Sequence, residues 1–249
     1  MDVSDVVAML LSSLRKVRQI HPLFTNLYPL AVLRGRELYL FEPSNNEYRL
    51  ARIVTAPSWM PDTVSAALPL DVNDWRMTAV VSLSGEAILE SIVSVLHEFV
   101  HCYQWECCEE KLKSNLTVAR EEVEAGNYSW ELNYPFPYTD DHFVELYSRF
   151  LDTNAEEILT IRKELKEYLS HKDYEYMVWQ EWKEGFARYI ENVIRKVLQL
   201  KENNSGREKP FTRITFYVGG EKMVKWLQSR DPGIILDIEK LFCKISGET

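Results

Sequence analysis

Apolar residues recur at intervals of three and four in several stretches of the chain, which predicts that helices dominate the fold. The first such stretch runs from Val3 to Val17 and the second from Glu86 to about Lys113. Further helices are expected near 142–151, 154–169 and 173–200, the last being long and regularly patterned. Each predicted helix has one apolar stripe, as a helix packed on a core requires.

The N-terminal third contains β-prone runs instead. Ala31–Phe41 and Tyr48–Thr55 flank a segment rich in turn-forming residues, which predicts a hairpin. Met77–Leu83 is a further apolar strand, whose edge we expect to be open to an extended peptide. Residues 57–75, with three prolines and no clear period, are expected to form a surface loop or a lid. Phe211–Val218 is expected to be extended.

These patterns predict an α+β protein that is predominantly helical, with a small N-terminal β-sheet and a helical C-terminal part. We place a boundary after residue 84, so that residues 1–84 form one subdomain and residues 85–249 form a second, helical one that carries the functional residues. The two are expected to make one catalytic unit. Two short helices near 221–229 and 233–245 complete the prediction.

Charge and composition narrow the classes of partner. The 249 residues include 29 basic and 38 acidic ones, giving a net charge of −9, and no basic run interleaved with aromatic residues occurs. We therefore expect no nucleic-acid partner. The apolar run at residues 6–11 is preceded by acidic and followed by basic residues, unlike an export signal, and no run is long enough to span a bilayer. We expect a cytoplasmic protein without a membrane partner and with reduced cysteines; the oligomeric state is not predicted.

The most informative chemistry lies in the sequence His-Glu-Phe-Val-His at residues 97–101. On a helix, His97 and His101 are about 40° apart, so both imidazoles can reach one metal ion. Glu98 lies about 100° from His97, where it can hold a water molecule without being a ligand. This spacing is typical of zinc hydrolases, in which the glutamate takes a proton from a zinc-activated water.

A catalytic zinc site usually has three protein ligands, so a third must come from elsewhere in the chain. The candidates are His142, His171 and the acidic residues of the helix near 173–200. Glu184 is favoured because it lies off the apolar stripe and is followed by small residues that permit close helix packing. Glu181, on a similar face, is its main rival.

The pairing of His-Glu-Phe-Val-His with the later Glu-Gly-Phe-Ala-Arg-Tyr segment at residues 184–189 resembles the gluzincin metallopeptidases. The resemblance implies a zincin-like fold in which His97, His101 and Glu184 bind Zn²⁺. It also implies that Glu98 is the catalytic base and that the substrate is a peptide or protein.

A third segment, Phe-Tyr-Val-Gly-Gly at residues 216–220, resembles a stretch of the zinc aminopeptidase branch of that family. The resemblance gives Tyr217 the role of stabilising the tetrahedral oxyanion, with Arg188 as a candidate helper. Two departures stand out. Eighty-two residues, 102–183, separate His101 from Glu184, which requires an inserted helical segment. The strand that anchors the free amine of an aminopeptidase substrate has no counterpart in this sequence.

The sequence therefore predicts a zinc-dependent peptidase. Two alternatives stay open at this stage. The first is a metallopeptidase-like interaction module that binds zinc without catalysis, which the missing anchor strand and the long insertion favour. The second is a protein without metal, in which the two histidines belong to the core.

Overall fold

The computed structural model describes residues 2–83 and 87–247, and their fold is α+β, with a sheet near the N-terminus and helices through most of the remainder. This confirms the predicted class. Ser84, Gly85 and Glu86 lie outside the described residues. The predicted boundary after residue 84 therefore stays a prediction. The helix predicted from Glu86 begins at Ile88, because Ala87 is its non-helical N-cap residue.

One mixed sheet contains the strands of the N-terminal part. The strands are β1 (Leu30–Arg34), β2 (Glu37–Ser44), β3 (Glu47–Thr55), β4 (Ser65–Leu70) and β5 (Arg76–Ser82). Their order across the sheet is β3-β2-β1-β5-β4, and the β1–β5 pair is parallel while the other pairs are antiparallel. The β2–β3 turn is made by Asn45 and Asn46, both at positive φ, a conformation that asparagine tolerates. The hairpin expected between these runs is confirmed.

In most places the helices occupy the residue ranges that the apolar periodicity predicted. They are α1 (Val3–Val17), α2 (Ile88–Gln104), α3 (Glu110–Asn115), α4 (Thr117–Glu124), α5 (Trp130–Asn133), α6 (Asp141–Asp152), α7 (Ile158–Tyr168), α8 (His171–Val197), α9 (Thr215–Gln228) and α10 (Ile238–Ser246). A π-helical turn, Trp105–Glu109, joins α2 to α3. Within residues 2–83 and 87–247, no helix combines the length and apolar character that crossing a membrane requires.

The described residues divide into two units by their contacts. The first unit contains α1, the sheet, α2 and Ile190–Glu202, and the second contains α3–α7, α9, α10 and most of α8. In the first unit one face of the sheet buries a cluster that includes Leu33, Leu40 and Val80, while α2 packs against β5 and β4. In the second unit the core is aromatic, with Trp179, Trp182 and Phe186 of α8 fully buried.

The expectation that the Met77–Leu83 strand has an open edge is wrong. This strand is β5, and it is hydrogen-bonded to β1 on one side and to β4 on the other. The edge strands of the sheet are β3 and β4, and β4 lies within residues 57–75 that were expected to be a loop or lid. Its Pro69 lacks an N–H group, which an edge strand tolerates because one side of it needs no partner.

The expectation that Phe211–Val218 is extended is also wrong, because α9 begins at Thr215 and continues through Gly219 and Gly220. The β-branched and aromatic residues here favour a strand locally. Burial decides the outcome instead, since Phe216, Val218 and Val224 all pack into the core as parts of one helix.

Candidate metal centre

Helix α2 holds His97, Glu98 and His101 in a fixed orientation. Val95, Leu96 and Phe99 are completely buried, as the apolar stripe predicted, so the helix is anchored by its core face. The two imidazoles then project to one side, four residues apart, with 13% of the His97 side chain exposed and His101 buried. The local spacing places both rings where a single ion can touch them.

Each histidine directs its Nδ1 atom towards a protein oxygen and its Nε2 atom towards the other histidine. Nδ1 of His97 lies 3.1 Å from Oε2 of Glu191, and Nδ1 of His101 lies 2.8 Å from Oε1 of Gln104. Both partner oxygens can accept, and with the proton on each Nδ1 each Nε2 would carry the lone pair that binds a metal ion. The two Nε2 atoms are 3.2 Å apart. Two lone pairs at this distance repel unless a cation, a proton or a metal ion, lies between them.

The distance between the Nε2 atoms fits a shared zinc ion. Imidazole nitrogens bind zinc at about 2.0–2.1 Å with near-tetrahedral angles, which separates two of them by about 3.3 Å. The separation of 3.2 Å agrees with that value. The oxygen atoms on both Nδ1 positions are the outer partners that zinc-binding histidines usually have.

Glu184 on α8 joins this group. His97, His101 and Glu184 each offer a ligand atom, and these atoms lie within 4.8 Å of one another. Glu184 and Glu191 are seven residues apart on the same continuous helix, and therefore nearly on one face of it. Two imidazoles and one carboxylate are a donor set that catalytic zinc sites use.

Glu181, the rival candidate, has other partners. Its carboxylate is completely buried, receives two hydrogen bonds from Nη1 of Arg162 at 2.6 and 2.8 Å, and accepts the hydroxyl of Tyr147 at 2.7 Å. Both oxygens of this carboxylate are engaged with Arg162, which lies, like Glu181, inside the protein. Of the two rivals, Glu184 is the one that lies in the group of possible metal ligands.

His142 and His171, the other candidates, are not part of the group. His142 lies beside Glu145 at 3.9 Å on α6, with about half of its side chain exposed. His171 lies at the start of α8, 3.2 Å from Glu175, with 74% of its side chain exposed. Both positions agree with surface histidines.

Tyr217 contacts the candidate metal-binding carboxylate. It lies in the first turn of α9, is 8% exposed, and hydrogen-bonds with Glu184. Burial, reinforced by the negative charge of Glu184, raises the pKa of Tyr217 well above its usual value, although Arg213 opposes the shift. The phenol therefore keeps its proton and acts as a donor.

Two arginines flank the Tyr217 ring, each with its guanidinium carbon 5.3 Å from the ring centre. Nη1 of Arg213 donates to Oε1 of Glu184 at 3.2 Å, so Arg213 orients that carboxylate. Nη1 of Arg188 donates to the carbonyl oxygens of Asn203 and Ser205, at 2.9 and 3.2 Å. Arg188 thus fixes the segment after α8, whereas Arg213 contacts the candidate ligand.

A close crossing of α8 and α9 permits the contact between Tyr217 and Glu184. A Cβ atom on Gly185 would lie 2.3 Å from Cα of Gly220, and one on Gly220 would lie 2.0 Å from the carbonyl oxygen of Glu181. Neither position has space for a side chain. The close helix packing that the small Gly185 permits is packing against α9.

Glu98 is held by the edge strand. Its carboxylate is 5% exposed, and Oε1 accepts the hydroxyl of Ser65, the first residue of β4, at 2.8 Å. This bond fixes the rotamer of a side chain that follows His97 directly. Ser65 therefore positions the predicted base.

A chain of charges extends from His97 towards the protein surface. Oε1 of Glu191 accepts from Nε of Arg195 at 2.7 Å, and Nη2 of Arg195 donates to Oε2 of Glu90 at 2.7 Å. Alternating charges compensate one another, so the buried Glu191 remains a carboxylate beside the imidazole. An anionic acceptor makes the imidazole a stronger ligand.

Ser65, Glu191 and Arg213 were not recognised as functional residues from the sequence. Glu191 carried a signal, because it follows Glu184 by two helical turns and so shares its face. Ser65 and Arg213 carried none, since each reaches the centre through tertiary structure from a segment whose conformation was predicted wrongly. Comparison with known proteins adds no further assignment: no family model, curated protein or solved structure matches the chain.

Proposed function

We propose that this protein is a zinc-dependent hydrolase of peptide bonds with a zincin-like fold, in which His97, His101 and Glu184 hold the zinc ion. The observation that carries the proposal is the pair of Nε2 atoms 3.2 Å apart, each opposite a nitrogen whose proton is fixed by an oxygen acceptor. A carboxylate within 4.8 Å completes a donor set suited to zinc.

The resident groups suit hydrolysis. When bound, zinc supplies a Lewis acid and lowers the pKa of a water molecule to about 7. Glu98 would take a proton from water on Oε2, because Oε1 accepts the hydroxyl of Ser65. The same carboxyl group then gives the proton to the leaving amine.

In this proposal Tyr217 is the donor to the oxyanion. Its raised pKa keeps the phenol protonated at neutral pH, and the proton that it donates to Glu184 would turn to the oxyanion as that charge develops. Arg213, which contacts both Tyr217 and Glu184, keeps the two side chains in register. Removal of one such donor typically lowers kcat by about 10²–10³-fold.

The proposal is tested with the purified protein, by zinc analysis and by mass spectrometry of digests of an unbiased peptide mixture. We expect about one zinc ion per chain and specific cleavage. Glu98→Gln should keep the zinc and reduce turnover by at least about 10³-fold, because it removes the base and leaves the ligands in place. His97→Ala should lose both the zinc and the activity.

Glu110→Gln, which changes an exposed carboxylate on α3, is the matched control and should leave zinc content and turnover unchanged. Undiminished turnover by Glu98→Gln would contradict the mechanism. Stoichiometric zinc without cleavage of any peptide would instead identify the protein as an inactive, zinc-binding interaction module.

A further inference from the structure

A cavity of about 240 Å³ lies beside Glu98 in the first unit. Its described lining consists of five hydroxyl side chains, Thr63, Ser65, Ser82, Ser91 and Ser94, together with two valines. Ser65 belongs both to this lining and to the hydrogen bond with Glu98, so the cavity begins one side chain away from the proposed base. Its volume far exceeds the ~10–15 Å³ that one water molecule needs.

The hydroxyl groups of the lining have both donor and acceptor capacity towards a ligand. Oγ of Ser82 accepts the N–H of Val64 at 3.0 Å, so its own proton can be donated. Oγ of Ser94 donates to the carbonyl of Glu90 at 3.2 Å, and Oγ of Ser65 donates to Glu98. The lone pairs of these two oxygens can accept.

A side chain that enters this cavity must match that pattern. An acidic group would leave water without gaining a counter-charge, since none of the described lining residues is basic and the neighbouring charge is the carboxylate of Glu98. An apolar group would leave the remaining proton of Ser82 and the lone pairs of Ser65 and Ser94 unused. A carboxamide has an accepting oxygen and a donating NH₂ group, so it satisfies both kinds of site at once.

We infer that this cavity, which we call the hydroxyl cavity, is a specificity subsite for an Asn or Gln side chain adjacent to the scissile bond. The inference rests on the proposed peptidase function and adds a substrate class to it. The hydrogen bond from Ser65 to Glu98 places the subsite beside the bond to be broken.

The test uses the zinc-loaded full chain and matched peptides that differ at one position, first on one side of the scissile bond and then on the other. That position carries Gln, Glu, Leu or Gly, and kcat/KM is measured for each peptide. On one of the two sides we expect Gln to exceed both Glu and Leu by on the order of tenfold, as the loss of a hydrogen bond predicts. Glu is the most informative comparison, because it has the shape of Gln with a charge in place of the amide.

Ser94→Leu fills the cavity and should abolish the preference for Gln, so that the Gln, Glu and Leu peptides are cleaved with similar kcat/KM. Ser148→Leu is the matched control, since Ser148 makes the same hydrogen bond to the carbonyl four residues earlier, on α6, and is also half-buried. Thr63→Phe, at an exposed position of the lining, is a second variant that narrows the cavity without a buried substitution. It should lower the preference for Gln even if Ser94→Leu fails to fold.

The outcomes separate the two proposals. If no peptide is cleaved by the wild-type protein, including the Gly peptide, the peptidase function itself fails. Cleavage in which Glu or Leu equals Gln on both sides would overturn the inference about the cavity and leave the peptidase function standing. A preference for Gln that survives both Ser94→Leu and Thr63→Phe would also overturn it, by locating that preference elsewhere.

Discussion

Glu181 and Glu184 lie three residues apart on α8, but their surroundings differ in one decisive respect. Glu181 meets the guanidinium of Arg162 and the hydroxyl of Tyr147, so its charge is matched inside the protein. One residue before Glu184, Lys183 binds Glu109 and Glu131 at 2.6 and 2.7 Å, another matched set. Each of these groups has the partners that a buried charge requires.

The described surroundings of Glu184 are of a different kind. Its carboxylate has Arg213 and Tyr217 on one side and two imidazole nitrogens with outward lone pairs within 4.8 Å. Together these atoms form a group that could hold a metal ion. The comparison teaches that burial of a charge does not distinguish the two carboxylates, whereas a cluster of electron-pair donors does.

The largest effect on stability should follow from breaking the buried ion pair of Glu181 and Arg162. Glu181→Gln leaves Arg162 buried without its counter-charge, which should lower the free energy of unfolding by about 3–5 kcal/mol. Zinc content of the folded protein should not change. Denaturant unfolding and metal analysis of one preparation check both statements. A double variant, Arg162→Met with Glu181→Met, should recover most of the stability, because it removes both charges.

The second effect is a dependence of stability on pH in the same region. Burial would raise the pKa of Glu131, but Lys183 and Lys113 prevail and lower it from 4.5 to about 2. Because the folded pKa is the lower one, the stabilisation is complete above about pH 4.5 and is lost as the pH falls towards 2. The loss is on the order of 3 kcal/mol.

Unfolding measured between pH 6 and pH 2 checks this dependence. Glu131→Gln should flatten that part of the profile, whereas Glu124→Gln, at an exposed position, should not. An unchanged slope in Glu131→Gln would contradict the assigned ion pairs.

The third effect belongs to the metal centre. Glu184→Gln should lower zinc affinity by at least about 100-fold, since removing the partner of a ligand already costs about 10–100-fold. The metal-free variant should have nearly the same denaturant midpoint of unfolding as the metal-free wild-type protein. Competition with a chelator measures the affinity. A large loss of stability with unchanged zinc binding would show that Glu184 has a structural role, like Glu181, and is not a ligand.

The smallest effect concerns Glu191. Glu191→Gln replaces the anionic acceptor on Nδ1 of His97 by a neutral one and should lower zinc affinity by about 10–100-fold. Glu90→Gln, two steps further along the same chain of charges, should have a weaker effect in the same direction. If both variants bind zinc as the wild type does, the chain of charges has no influence on the metal.

Features that depend on local spacing were predictable from the sequence. The face of α2, the pairing of His97 with His101 and the extent of α8 follow from helical periodicity, because neighbours on a helix are fixed by the chain itself. Glu184 was predicted as the third ligand from the small residues that follow it and from the resemblance to the gluzincins. The proximity of Glu184 to the histidines agrees with that prediction.

Features that depend on distant segments were not predictable. Residues 65–70 contain proline and no alternation, yet they pair with β5 and supply Ser65. Gly219 and Gly220 favour a turn locally, but they lie inside α9 because Gly220 packs against α8. In both cases tertiary packing outweighs local propensity, and the propensity scale cannot register a partner elsewhere in the chain.

The close contact of α8 and α9 at Gly185 and Gly220 limits the distance between the helix that carries Glu184 and the helix that carries Tyr217. Each glycine contacts backbone atoms, so even a methyl group would force the two helix axes apart. Glu184 is on one helix and Tyr217 on the other, and their hydrogen bond has a narrow range of permitted lengths. The two glycines therefore set the distance between Glu184 and Tyr217, although neither glycine has a side-chain atom that could take part in chemistry.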